Sequence, residues 1–254
     1  MRNVWVIARR EYSRFFTTSV SYAVAFAILL IVGLIFALTV YGAYQNAFTG
    51  GGLGGPSTAP DIKGIAGTFT FMLVLSVPAL TMRLISDENR MGTLELLLTA
   101  PLQDWELIVG KWLGAFMFIL TVLAVTLIYP IILNMLETPG IDQGLMISSY
   151  VGLILVSAAF LGLGVGISSL FSNQVAAFFV TLGVFIFFWW MFGFISQFAQ
   201  GGASDIFTYL DMGAHFNNNL NAGTINLSDL VYYLSLTALG LFTGTVAVET
   251  RRWS

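Results

Sequence analysis

The sequence predicts an all-α integral membrane protein with six transmembrane helices, preceded by an interfacial helix and interrupted by one short cytoplasmic helix. Three observations carry this prediction. The chain is 57% hydrophobic and only 9% charged, whereas a soluble domain carries about 25% charged residues. Six apolar runs are long enough to cross a bilayer, and the basic residues gather on one side of the resulting topology. The mean hydropathy of +0.86 agrees with this class.

The stretch "NVWVIARREYSRFF", residues 3–16, predicts an amphipathic helix at the membrane surface. Aromatic residues form its apolar side, namely Trp5, Tyr12, Phe15 and Phe16. We expect the opposite side, with Arg9, Arg10 and Glu11, to remain in water. A plain positively charged anchor before span one is the alternative interpretation of the same residues.

A membrane-spanning helix needs about 20 mainly apolar residues, and six stretches meet that length. The predicted spans are 18–43, 66–83, 110–136, 147–170, 175–199 and 229–248. The first is longer than the apolar core of a cleaved signal, which has about 7–15 residues, so we expect it to be retained. No second domain is indicated, and we expect residues 1–254 to form one transmembrane domain.

Basic residues decide the predicted orientation, because lysine and arginine are enriched on the cytoplasmic side of membrane proteins. Nine of the ten basic residues fall on the side that holds both termini, and only Lys63 falls on the other. The acidic residues divide seven to six, so the bias is one of basic residues rather than of net charge. We therefore expect both termini and the loop between spans two and three to be cytoplasmic. The glycine-rich residues 44–65 and the polar residues 200–228 are then external.

The stretch "SDENRMGTLELLLTAPLQDWELIVGK" separates spans two and three and is far more polar than its surroundings. Gly92 permits a sharp bend. Thr93 is a suitable N-cap, and Glu95 lies in the first turn, where the helix dipole favours an acid. Pro101 disfavours helix in the residue before it. Residues 94–99 are therefore predicted to form a short helix.

The short helix is amphipathic, because Leu94, Leu97 and Leu98 share one face by their spacing. A helix of this length is not stable in water by itself, so it needs a membrane or protein surface beneath it. Asp104 is the predicted cap of the next helix, with Glu106 in its first turn. An ordinary loop with a single helical turn is the alternative interpretation of this stretch.

The sequence offers no motif for catalysis or metal binding. It has no cysteine, no phosphate-binding Gly-x-x-x-x-Gly-Lys-Ser/Thr loop, and no nucleophile paired with a base within the spans. The glycines of "GLGVG" at 162–166 are expected to allow close helix packing. His215, near Asp205 and Asp211, is expected to be solvated rather than bound to a metal. The aromatic run "FIFFWWMFGF" is typical of a lipid-facing or interfacial surface, with a substrate-lining wall as the alternative.

The order of residues in "ENRMGTLELLLTAP … GK" resembles the cytoplasmic signature of the type-2 permeases of ATP-binding-cassette (ABC) exporters, most of all the gliding-motility and nitrous-oxide-reductase-maturation permeases. The resemblance implies that the short helix is a coupling helix, which docks into a groove on a separate ATPase subunit. It assigns this role to Glu88, Arg90, Gly92, Thr93, Leu94, Glu95, Leu96, Leu97, Leu98 and Pro101. It also implies that the interfacial helix, with Trp5, Arg9, Arg10 and Tyr12, lies close to the ATPase.

The same resemblance implies a transmembrane permease subunit of an ATP-driven exporter in the inner (cytoplasmic) cell membrane, with residues 1–254 as one permease domain. The chain itself is then not an enzyme and holds no cofactor, and ATP and Mg²⁺ belong to the partner ATPase. Its other partners are a second permease copy or a related permease and the lipid bilayer, with no nucleic acid. A membrane scaffold or assembly factor for an envelope complex, without translocation of its own, is the alternative.

Overall fold

The computed structural model describes residues 2–48, 62–86, 103–136 and 140–252, and these residues form helices and connections without any strand. The α-helices, in chain order, are α1 Arg2–Phe15, α2 Ser19–Phe48, α3 Ile62–Thr81, α4 Asp104–Thr126, α5 Ile128–Leu136, α6 Gln143–Leu170, α7 Gln174–Ile186, α8 Phe192–Phe198, α9 Gly202–Leu210, α10 Met212–Ala214 and α11 Leu227–Arg252. Two π-helical turns, Phe187–Met191 and His215–Asn219, and one 3₁₀ turn, Leu220–Ala222, complete the helical elements of the described residues.

Six helical segments within the described residues are long and apolar enough to cross a membrane. From span one to span six they are Ser19–Gln45, Ile62–Thr81, Asp104–Leu136, Gln143–Leu170, Gln174–Phe198 and Leu227–Thr250. The prediction of an all-α membrane protein with six spans is therefore confirmed. Spans two and three begin earlier than predicted, at Ile62 and Asp104, because their less apolar first turns continue the same helix.

Span four is the central helix of the bundle and packs against span six through glycine. A side chain at Gly162 would come within 3.0 Å of the carbonyl oxygen of Thr237, and one at Gly166 would collide with the backbone of Gly240. A side chain at Gly240 would in turn collide with the backbone of Gly162. The prediction that Gly162 and Gly166 allow close helix packing is confirmed, since the two backbones meet directly at these positions.

Span four also packs closely against span two. A side chain at Gly164 would come within 2.6 Å of the Thr81 hydroxyl in span two. In total, 78% of the most apolar stretch of span four is buried, compared with 11% of that of span one. Span four is thus surrounded by other helices of the bundle, whereas most of the surface of span one is exposed.

The connection between spans five and six is a folded element, which we call the cap (residues 202–222). Met212, Phe216 and Leu220 are fully buried and follow one another at the i, i+4 spacing of one helix face. A side chain at Gly152 of span four would come within 3.0 Å of Phe216 and Leu220, so the cap packs directly on that span. The segment that the sequence analysis describes as polar thus also has an apolar face, which is buried on span four.

Hydrogen bonds hold the end of the cap to two spans. The Ser148 hydroxyl of span four donates to the carbonyl oxygen of Leu220 at 2.6 Å. Ser149 donates to the Asn221 side-chain oxygen at 3.1 Å. The Asn221 amide nitrogen donates to the carbonyl oxygen of Lys63, at the start of span two, at 3.2 Å. The cap therefore closes one end of the bundle over spans two and four.

His215 of the cap is buried, with 7% of its surface exposed, so the expectation that it is solvated is wrong. Its Nδ1 lies 2.6 Å from an Asp229 carboxylate oxygen and its Nε2 lies 2.8 Å from the carbonyl oxygen of Tyr209. Both ring nitrogens therefore have a hydrogen-bond partner within the described chain. The same oxygen accepts from Asn219 at 3.0 Å, and the Tyr232 ring stacks on the imidazole at 4.2 Å. These contacts join the cap to the start of span six.

We expect Gly240→Ala to lower the midpoint of thermal unfolding of the detergent-solubilised protein. The added methyl would collide with the backbone of span four, and overpacking a tight contact costs about 1–3 kcal/mol. The matched control is Gly183→Ala in span five, where the methyl would meet open space and helix propensity favours alanine. An equal effect of the two substitutions on the midpoint, followed by tryptophan fluorescence, would contradict the close contact between spans four and six.

Candidate functional site

All of the predicted coupling residues, from Glu88 to Pro101, lie outside the described residues. Their assignment stays a prediction. The structure does describe the two points at which the chain enters and leaves this stretch, and both are held by hydrogen bonds to other parts of the bundle. These two attachment points, together with helix α1, form the candidate site.

The entry point is fixed to the end of span four. The Ser86 hydroxyl donates to the carbonyl oxygen of Ser168 at 2.9 Å, and the Ser86 backbone N–H donates to the Ser168 hydroxyl at 3.3 Å. Both serines are fully buried. Buried polar groups that satisfy one another in this way hold the chain in one position, so span four carries the start of the polar stretch.

The exit point is fixed to the N-terminal helix. Gln103 is the N-cap residue of α4, and its backbone N–H donates to an oxygen of Glu106 at 3.3 Å. The Asn3 side chain of α1 donates to the same oxygen at 3.0 Å. The prediction that Asp104 caps this helix is wrong by one residue, because Glu106 reaches back to Gln103 as in a capping box. Glu106 does lie in the first turn, as predicted.

Helix α1 lies in a groove that two glycines open in α4. A side chain at Gly110 would come within 2.8 Å of the Ile7 Cβ atom. One at Gly114 would come within 2.7 Å of the Glu11 Cβ atom and 2.9 Å of the carbonyl oxygen of Ala8. This Gly-x-x-x-Gly spacing is the usual device for close helix approach in membranes. The residue numbers rise together along the two helices, so α1 and the first half of α4 are parallel.

Aromatic contacts extend this helix pair towards the start of span one. The rings of Phe15 and Phe118 are stacked with their centres 5.0 Å apart, and Phe16 meets Phe118 edge-on at 5.6 Å. The hydroxyls of Tyr12 and Thr121 lie 3.0 Å apart. Tyr12 is accordingly half-buried against α4, although the sequence placed it on a face towards the membrane.

A buried ion pair lies in the middle of the same groove. The Lys111 Nζ atom lies 3.2 Å from a Glu11 oxygen, and the two side chains are 1% and 7% exposed. The expectation that Glu11 remains in water is therefore wrong. The spacing of Ile7, Glu11 and Phe15 is i, i+4, i+8, which already placed the carboxylate on the packed face. The spacing of these residues could be read from the sequence. The pairing of Glu11 with Lys111, 100 residues further along the chain, could not.

The outer face of α1 agrees with the sequence. Arg9 and Arg10 are exposed, and so are Trp5 and Val6, at 55% and 61%. An exposed tryptophan beside arginines is typical of a helix at a lipid headgroup layer. The interfacial position of α1 nevertheless stays a prediction, because these contacts describe the helix pair and not the bilayer.

The described residues contain no group of three or more histidine, aspartate or glutamate side chains that could hold a metal ion. Burial raises the pKa of the Asp211 carboxyl, while backbone N–H groups of Ala214 and Gly213 act in the opposite direction. Asp211 accepts a hydrogen bond from Gly213 at 2.8 Å, as the N-cap of a short helix. Its role is therefore accounted for by the folding of the cap.

The six apolar helices define a multi-pass membrane protein. Residues 56–250, more than half of the chain, match the sequence profile described as ABC-2 family transporter protein. The chain therefore belongs to the ABC-2 family of transporter proteins.

Two similar proteins carry the name "Probable ABC transporter permease protein NosY". The protein from Stutzerimonas stutzeri is 29% identical over 163 residues, which cover 64% of this chain and 56% of that protein. The protein from Pseudomonas aeruginosa is 27% identical over 190 residues, which cover 73% of this chain and 66% of that protein. The chain thus spans less than two thirds of the length of either relative.

We expect Lys111→Ala to lower the stability of the protein strongly. It leaves the Glu11 carboxylate buried without this cation, and breaking a buried pair costs about 3–5 kcal/mol. Arg10→Ala, which removes an exposed cation from the same helix pair, should change stability by less than about 0.5 kcal/mol. The measurement is the thermal unfolding midpoint in detergent.

The double variant Glu11→Leu/Lys111→Met should be more stable than Lys111→Ala and recover most of the stability lost in that variant. The two apolar side chains have a similar size to the original pair, and burying them removes no charge from water. If Lys111→Ala unfolds at the same temperature as Arg10→Ala, the pair contributes nothing to the α1–α4 contact and this account of the groove is wrong.

Proposed function

We propose that the chain is the transmembrane permease subunit of an ATP-driven ABC exporter, coupled through residues 94–99 to a separate ATPase subunit. The observation that carries this proposal is the family match over residues 56–250, which includes the whole polar stretch between spans two and three. The names of the two relatives support it. The order of residues from Glu88 to Pro101 supports the position of the coupling helix.

The two attachment points give the coupling helix a mechanical connection to the bundle. Its entry is held by the hydrogen bonds of Ser86 to span four. Its exit is held by Glu106, which accepts from Gln103 and from Asn3 of α1. A short helix that the ATPase displaces would therefore act on span four and on the α1–α4 pair together. Packed elements move as rigid bodies rather than deform continuously, and span four is the most buried helix of the six spans.

The proposed motor is a different chain. The sequence has no phosphate-binding loop of the Gly-x-x-x-x-Gly-Lys-Ser/Thr type, so ATP and Mg²⁺ are assigned to the ATPase partner and this chain is non-catalytic. The exposed basic face of α1, with Arg9 and Arg10, lies beside the exit point of the coupling helix. Both elements would thus meet the same partner.

The proposed transporter contains a second permease, either another copy of this chain or a related protein. Span one has 11% of its most apolar stretch buried, span five 28% and span six 33%. These spans present wide apolar surfaces, which a bilayer and a partner permease would both cover. A transport path between two permeases also explains why the described core of the monomer is filled by packed side chains.

The proposed location is the inner (cytoplasmic) cell membrane, with both termini cytoplasmic. The α1–α4 pair and the Ser86–Ser168 contact belong to the side of the predicted topology to which nine of the ten basic residues are assigned. The cap lies at the other end, and residues 200–228 contain neither lysine nor arginine. This division agrees with the enrichment of basic residues on the cytoplasmic side.

Single-cysteine labelling tests this orientation directly, because the chain has no native cysteine. We expect a membrane-impermeant maleimide to label cysteines at positions 54 and 217 in intact cells, and not one at position 103. Position 217 is chosen because it is exposed in the cap, whereas the neighbouring His215 is buried. If the reagent labels a cysteine at position 103 from outside and does not label one at position 54, the orientation is the reverse of the proposed one.

Charge and polarity changes in the coupling helix test its contact with the ATPase. We expect Glu95→Lys and Leu96→Asp each to reduce co-purification with the ATPase and stimulated ATP turnover by about tenfold or more. A buried charge contact that loses its partner costs about 2–5 kcal/mol, and about 1.4 kcal/mol corresponds to tenfold in affinity. The matched control is Glu249→Lys, a charge reversal at an exposed position near the other terminus.

Membrane insertion of every variant must match that of the unmodified protein. Normal co-purification and normal ATP turnover for both Glu95→Lys and Leu96→Asp would overturn the coupling assignment. The stretch would then be the ordinary loop, and the scaffold function would be the better description of the chain.

A further inference from the structure

A small pocket lies at the elbow where α1 turns into span one. It has a volume of about 70 Å³ and is enclosed by the end of α1, the start of α2 and the end of α3. Its polar lining consists of Glu11, Arg14, Thr18, Ser21 and Arg83. A water molecule needs about 10–15 Å³ by this measure, so the pocket has room for several waters or one tetrahedral oxyanion.

The basic groups of the pocket are not all satisfied within the described residues. The Glu11 carboxylate already binds Lys111 at 3.2 Å and approaches Arg14 at 3.8 Å. The Nε atom of Arg83 is buried and has no hydrogen-bond partner in the part of the chain that the structure describes. The guanidinium groups of Arg14 and Arg83 thus line one pocket, and that of Arg83 has a buried donor that the described residues leave unsatisfied.

An oxyanion is the chemical group that would complete this arrangement. A buried donor without an acceptor is costly, and unsatisfied buried groups in native proteins commonly mark an ion or water site. The planar guanidinium of arginine donates two parallel hydrogen bonds to phosphate, which lysine cannot do. The Ser21 hydroxyl, 2% exposed, adds one more group able to donate.

The surroundings of the pocket favour a lipid as the source of that phosphate. The rest of the lining is apolar and includes Phe15, Leu80 and Leu84, which suits the glycerol and upper acyl region of a lipid. The elbow joins the proposed interfacial helix to span one, at the depth of the headgroups. Basic pockets between spans on the cytoplasmic side suit anionic headgroups, which are abundant in that leaflet.

We propose that the elbow pocket binds the phosphate of an anionic phospholipid, with Arg83 and Arg14 as its ligands. The side of the membrane rests on the proposed orientation, whereas the phosphate chemistry rests on the pocket alone. A bound headgroup would hold the end of span two against the elbow of α1 and span one, and so would stabilise the bundle next to the coupling stretch.

The test compares lipid binding by the full-length protein, Arg14→Gln/Arg83→Gln and the matched control Arg9→Gln/Arg10→Gln, all delipidated in mild detergent. The control removes the same charge from the exposed face of α1. Each is titrated with phosphatidylglycerol, phosphatidylcholine and sodium phosphate. The readouts are the unfolding midpoint and the lipid retained in native mass spectrometry.

We expect phosphatidylglycerol to protect the unmodified protein and the control, and to bind the pocket variant at least about tenfold more weakly, as the loss of charge-assisted hydrogen bonds implies. Arg83→Lys keeps the charge but not the planar fork. The affinity of Arg83→Lys for phosphatidylglycerol should lie between that of the unmodified protein and that of the double variant. Arg83→Lys also replaces the double variant in the comparison if the double variant does not fold.

Equal weakening in the pocket and control variants would show a general charge effect and overturn the site. Equal protection by phosphatidylcholine, or no protection by any ligand, would overturn it as well. Protection by sodium phosphate as strong as that by phosphatidylglycerol would retain the phosphate chemistry and overturn the lipid source. The measurement needs no ATPase, so its outcome is independent of the proposed transport function.

Discussion

The direct contact between the backbones of spans four and six is the constraint on which the rest of the bundle depends. Between helices in a bilayer there is no hydrophobic driving force comparable to that in water, so association relies on close packing. Glycines at 162, 166 and 240 permit that approach. Gly164 and Gly152 then allow span two and the cap to pack on other faces of span four. A single helix with small residues on several sides can thus organise its neighbours around itself.

The α1–α4 pair uses the same device at the basic end of the bundle and adds polar contacts to it. Gly110 and Gly114 admit α1 into a groove, and the Glu11–Lys111 pair fixes the position of α1 within it. A buried pair of this kind is weak evidence for stability, because desolvation of the charges offsets their attraction. Its clearer effect is on register, since sliding α1 along α4 would leave both charges buried and separated. Ser86 and Gln103, the described residues on either side of the polar stretch, are therefore both held by hydrogen bonds within the bundle.

The cap and the elbow pocket place the remaining unusual polar groups at opposite ends of the same bundle. At the cap end, His215 and Asn219 share one oxygen of Asp229, while the other oxygen of that carboxylate is buried without a hydrogen-bond partner in the described chain. Arg83 at the other end has a buried donor without a partner in the described chain. The Arg83 donor lies beside a pocket that Arg14 also lines, and the proposed lipid phosphate would satisfy it there.

The sequence by itself determined the fold class, the six spans and the uneven distribution of basic residues, because long apolar runs and charge counts are local properties of a chain. It also indicated that Gly162 and Gly166 serve packing. The coupling role of residues 88–101 was predicted from the order of motif residues, and it stays a prediction. Only the tertiary structure decided that Glu11 and His215 are buried and that the cap packs on span four. Whether a polar side chain is buried depends on whether a partner from a distant segment reaches it, and Lys111 and Asp229 become such partners only when the helices have packed.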